Sequence, residues 1–65
     1  MKLWEFLGHR VRIACDDGQV FEGFATNYES EYDNDPDPEC LMVDTDDGRH
    51  IDFEPDDIIS IEALD

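Results

Sequence analysis

Asp33-Asn34-Asp35-Pro36-Asp37 sets oxygen-bearing side chains at alternate positions, as a calcium-binding loop begins, because a hard cation wants several oxygens converging at short range. The rest of such a loop is missing. Pro38 stands where a glycine must turn the chain, and the twelfth position falls on Asp44, inside an apolar-patterned segment. The stretch therefore reads as a solvated acidic loop and not as a metal site. His9, Cys15, Cys40 and His50 supply the ligand types of a zinc site, yet no pair has the short spacing that such sites use. Cys15 falls in phase with Val11 and Ile13 and reads as a small buried hydrophobe, while Cys40 opens a strand. Nucleophilic catalysis has no candidate: no Ser or Cys is set beside a His, and no glycine-rich phosphate loop occurs. The reading is non-enzymatic, with no cofactor.

Charge is the stronger constraint. Nineteen acidic residues face four basic ones, Lys2, Arg10, Arg12 and Arg49, for a formal charge of −15. Affinity for nucleic acid comes largely from Lys and Arg neutralising phosphates, so RNA and DNA are repelled over most of this surface. An anionic membrane is disfavoured for the same reason. A basic protein partner, divalent cations or plain solubility suit a negative field. Arg10 and Arg12 fall on the opposite face of their strand from Val11 and Ile13 and, with Lys2, form a candidate basic patch. Neighbouring acids are expected to pair with them. The candidate surface for a basic partner is the acidic loop, through Glu31, Asp33, Asp35, Asp37 and Glu39.

The elements that position these groups follow from the patterning. Sixty-five residues make one domain, residues 1–65, with a thin stability margin, since a chain this short buries only ~60% of its unfolded surface. Apolar residues alternate with polar ones on both sides of Asp16-Asp17-Gly18 and again of Asp46-Asp47-Gly48, which predicts two hairpins. Residues 2–7 predict a short helix ended by Gly8. Strands are expected at about 10–15, 19–28, 40–44, 49–53 and 58–64, with the long second strand bent at Gly23. Residues 29–39, with two prolines, form an exposed loop, and Pro55-Asp56-Asp57 fits one 3₁₀ turn. The fold class is all-β with a short N-terminal helix: a five-stranded, strongly bent antiparallel sheet making a small SH3-like or OB-like barrel. No run has the length of a signal peptide or a membrane span, and two cysteines in such a chain suit a reducing compartment, so the expected setting is cytoplasmic, with no membrane.

Leu7-Gly8, Val11-x-Ile13-x-Cys15, Asp17-Gly18, Phe21-x-Gly23-x-Ala25 and Tyr28-Glu29, followed by Ile51 to Ile61 ending in Asp57-Ile58-x-x-Ile61, resemble the two motifs of the Sm-like (LSM) domain family over nearly the whole chain. The resemblance implies an Sm-like fold, a ring in which strand four of one subunit pairs with strand five of the next, and RNA contacts at Glu29, Tyr32, Asp33 and Asn34. The chain departs from the family where RNA is held. Glu29 and Asp33 replace the usual Asp and Asn, Glu31 falls at the base-stacking position beside Tyr32, and Asp52-Phe53 replaces an Arg-Gly pair.

Two functional readings follow. In the first, a non-enzymatic Sm-like domain self-associates through its edge strands as a homo-oligomer, with an RNA-associated or scaffolding role implied by the resemblance. Ring formation would gather copies of the Lys2, Arg10 and Arg12 patch on one face. In the second, an acidic regulator mimics nucleic acid towards a basic protein partner, as a small acidic inhibitor of the transcription terminator Rho does.

Overall fold

A computed structural model describes residues 2–33 and 35–65. Its five strands are β1 (Arg10–Cys15), β2 (Val20–Glu29), β3 (Cys40–Thr45), β4 (His50–Phe53) and β5 (Ile58–Ala63). They form one antiparallel sheet in the order β4-β3-β2-β1-β5. Both Asp-Asp-Gly turns close as the sequence predicts. Gly18 and Gly48 take positive φ values of 87° and 91°, which a side chain would resist. In the first turn the Gln19 N–H donates to Asp17 Oδ1 at 3.0 Å, and in the second Thr45 N–H donates to Arg49 O at 2.8 Å.

The expected helix over residues 2–7 is only a 3₁₀ turn, Leu3–Phe6. Six residues cannot sustain an α-helix by propensity, so its conformation follows the one side chain it buries, Leu3, which packs against β2 and β3. A second 3₁₀ turn, Pro55–Asp57, carries a reciprocal capping box between Glu54 and Asp57 and redirects the chain into β5.

Alternation places Val11, Ile13, Cys15, Ala25, Leu41, Val43, Phe53 and Ile58 in one buried cluster with Leu3. That cluster requires a curled sheet. Phe53 pairs with Leu41, which pairs with Tyr28, so in a flat sheet Phe53 would lie level with Tyr28, roughly 23 Å along β2 from Phe21. The Phe21 and Phe53 rings instead meet edge to face, with centroids 5.4 Å apart. The curl is concentrated on β2, which shifts register between Ala25 and Asn27 and pairs Gly23 with both Val11 and Thr45. The sheet nevertheless stays open, because β4 and β5 lie at its two ends and are not hydrogen-bonded to each other.

Gly23 is the tightest point. A Cβ there would sit 2.1 Å from Asp44 O and 2.7 Å from Thr45 Cα, both backbone atoms with no freedom to yield. Gly23→Ala is expected to lose about 1–3 kcal/mol or more, as overpacked cores do, read as a fall in the urea midpoint. A midpoint unchanged from wild type would show that β2 and β3 separate at this point at little cost.

Candidate functional site

The outer face of the sheet is built from the side chains that alternate with the core. On it Arg12 stands between its two cross-strand neighbours, donating from Nε to Glu22 at 3.0 Å and from Nη1 to Glu62 at 2.8 Å. Arg10 reaches the second turn and grips Asp46 through both terminal nitrogens, at 3.0 and 2.7 Å. Arg49 pairs with Asp47 at 2.7 Å and lies over the Phe21 ring, 5.1 Å from its centroid. All three guanidiniums are thus committed, and each is raised above its ordinary pKa first by the hydrogen bond to its carboxylate. Of the candidate basic patch, Lys2 alone forms no ion pair among the described residues.

The acidic loop lies elsewhere. Glu29 ends β2, half-buried, and Tyr32 and Asp33 follow in an exposed turn where Ser30 Oγ donates to Asp33 Oδ2 at 3.1 Å. Tyr32 is 87% exposed. Asn34 lies outside the described residues. Tyr28 donates its hydroxyl to Glu39 at 3.0 Å and so joins the two ends of the loop. Glu31, Asp35 and Asp37 are exposed and make no ion pair among the described residues.

The sheet ends are the other surface, and hydrogen-bond parity shows what they offer. An antiparallel ladder alternates between pairs that exchange hydrogen bonds and pairs that do not. Since Thr45 N–H bonds Arg49 O, the bonded pairs further along are Val43–Ile51 and Leu41–Phe53, and the backbone groups of His50 and Asp52 point away from the sheet. Leu64 N–H bonds Arg10 O at 2.7 Å, so the bonded pairs on the other side are Arg12–Glu62 and Ala14–Ser60. The groups of Ile61 and Ala63 therefore face outward there. Patterning alone could not reveal these edges, because they depend on which strands end up last in the sheet.

The zinc-type residues do not converge: among the described residues no group of three or more His, Cys, Asp or Glu is placed to hold a metal. His9 Nδ1 contacts Asp65 at 2.9 Å, and His50 Nδ1 contacts Asp44 across the β3–β4 pair. Cys15 and Cys40 are free, buried thiols. Burial raises both above the usual thiol value, helped by Asp17 at Cys15 and by Asp52 and Glu29 at Cys40. A shallow groove of about 290 Å³ runs between Val20, Phe21 and Glu22 and the second turn at Asp46, Asp47 and Arg49, with its charged groups already paired. Among the described residues no helix is long and apolar enough to cross a membrane. Compared with protein-family models, curated proteins and solved structures, the chain has no match in any of the three.

Asp47 gives the pH dependence its sign. Its carboxyl is lowered to about 2, first by the hydrogen bond from Arg49 and then by that from Thr45. A carboxyl lowered on folding stabilises the fold above its unfolded value and loses that contribution as pH falls through the folded one. Asp47→Asn is therefore expected to lower the urea midpoint at pH 7, and the gap from wild type should close between about pH 4 and about pH 2. A gap of constant size down to pH 2 would show that the ion pair contributes nothing. The thiols are expected to react with a disulfide reagent at pH 8 only as fast as the chain opens, and at once in urea. Fast labelling in buffer would overturn their burial.

Proposed function

We propose that this chain is a non-enzymatic binding module, an Sm-like or SH3-like small barrel that presents carboxylates to a basic protein partner as a mimic of nucleic acid. One observation carries the reading. Arg10, Arg12 and Arg49 are held in ion pairs, whereas Glu31, Asp35 and Asp37 have none among the described residues, so the field available to a partner is negative. Phosphates gain nothing from arginines already neutralised by neighbouring carboxylates. A Lys- or Arg-rich surface is steered in by the same field. The five antiparallel strands, the leading 3₁₀ turn and the irregularity of β2 between Ala25 and Asn27 support the small-barrel reading. Two free thiols suit a reducing compartment and support a cytoplasmic setting.

Self-association is the second reading, favoured by the edges. Among the described residues both ends of the sheet carry unpaired backbone groups, and β5 adds Ile59, 68% exposed, so the end strand of one copy can pair with that of the next. Through such a homo-oligomer an RNA-associated or scaffolding role would follow from the Sm-like resemblance. Light scattering after gel filtration decides between a 7.5 kDa species and a multiple of it.

The acidic-partner reading is tested by titrating the chain with short poly-lysine and with oligouridylate at low salt. Poly-lysine is expected to bind and the RNA not to bind. The triple variant Asp33→Asn, Asp35→Asn, Asp37→Asn should weaken poly-lysine by about tenfold, a loss of about 1.4 kcal/mol. RNA binding by the unaltered chain, or an unchanged poly-lysine affinity in the triple variant, would remove the loop from the function.

A further inference from the structure

We infer that the free edge of β4 is a docking site for a lysine- or arginine-rich extended segment of a partner protein, which joins the sheet as a sixth strand. The inference rests on the basic-partner reading and adds to it a place and a backbone conformation for the partner. Ladder parity leaves the N–H and C=O groups of both His50 and Asp52 directed away from β3. Residues with that spacing can each exchange two hydrogen bonds with an antiparallel strand, the mode by which sheets capture extended peptides.

The side chains around the edge select the sign of the occupant. Asp52 lies on the strand, Asp44 stands opposite His50, and Glu54 follows immediately. Asp52 pairs with Met42 of β3, and Glu29 pairs with Cys40 from the β2 side, so carboxylates gather at this end of β3 as well as on the edge. β4 itself has no Lys or Arg, and Arg49 before it is already bound to Asp47 and stacked on Phe21. Natural sheets commonly guard an edge with charge, usually lysine. Here the guard is anionic, so a second β4 would bring together two strands that each carry Asp52, follow into Glu54 and hold no Lys or Arg, and like charges gathered across strands destabilise a pair. A strand carrying Lys or Arg at alternate positions relieves that repulsion and supplies the missing backbone partners. The β5 edge differs, because its outward groups belong to Ile61 and Ala63 and the neighbouring Glu62 is taken by Arg12.

The test uses the full chain and a synthetic peptide of alternating lysine and threonine. A control carries the same residues with alternate backbone amides N-methylated, in each of the two phases, which keeps the charge and removes one set of edge-facing donors. Amide hydrogen exchange is followed residue by residue. Saturating peptide is expected to slow exchange at His50 and Asp52 by about tenfold or more, with one N-methylated phase unable to do so. Asp52→Asn should weaken the peptide several-fold, and added salt should weaken it further. If the peptide binds but protects only residues in 29–39, or if both N-methylated forms bind as well as the parent, the edge proposal falls and the basic-partner reading stands. If no basic peptide binds at low salt, both fall. Protection of His50 and Asp52 without peptide, growing with protein concentration, would assign the edge to a second copy and overturn the proposal.

Discussion

The close passage of two backbones at Gly23 is the constraint on which the rest of this structure depends. β2 is shared between the two hairpins, and at Gly23 it faces Val11 on one side and Thr45 on the other. Because nothing projects from Gly23, the two halves approach closely enough for the sheet to fold over its own inner face. Phe21 can then reach Phe53, and Ile58 at one end strand joins the same cluster as Phe53 at the other. A flat sheet would present these side chains to water along its whole length. A chain of this size has too little apolar area to tolerate that loss.

The curl also decides where charge can go. With one face committed to the core, nineteen carboxylates and four cations must share the outer face, the turns and the loop. The arginines fall on β1 and in the second turn, where carboxylates are within reach: Glu22 and Glu62 stand opposite Arg12 in the ladder, and Asp46 and Asp47 of the turn lie beside Arg10 and Arg49. Each arginine neutralises the sheet locally: Arg12 bridges Glu22 and Glu62, and Arg10 reaches Asp46 from the middle of the sheet. Exposed pairs of this kind contribute little to stability one at a time. Their larger effect is on the field, because they cancel the positive charge and leave the surplus negative charge on the loop and near β4.

Much of this architecture is legible in the sequence because it is local. Each Asp-Asp-Gly turn needs only its own residues, and the alternation that flanks it assigns the inward side chains without knowledge of the partners. Pro55 announces its 3₁₀ turn, whereas Gly23, read as the bend of β2, marks a close approach to β3, and the register shift comes between Ala25 and Asn27. The helix expected at residues 2–7 is less regular than the pattern suggested, because one buried leucine is all that tertiary packing asks of it. Strand order and ladder parity are not legible, since both depend on pairings between residues far apart in the chain. The candidate surfaces divide the same way: the acidic loop is visible as composition, while the free groups of His50 and Asp52 exist only once β4 is last in the sheet.

An open sheet edge is ordinarily a hazard, because it pairs with any other edge that drifts against it. Among the described residues this chain leaves two edges open, with no lysine to guard them and no helix to cover them. Its net charge performs that task at a distance. Two copies of net charge −15 repel as they approach, and beside β4 Asp44, Asp52 and Glu54 add to that repulsion with no arginine paired to them among the described residues. The protection is selective by its nature, since a field that holds off like-charged copies draws in a basic chain. On the proposed reading, acidity and an open backbone edge are two parts of one arrangement: the charge discourages pairing between copies, and the edge gives a basic partner a strand-shaped place to bind.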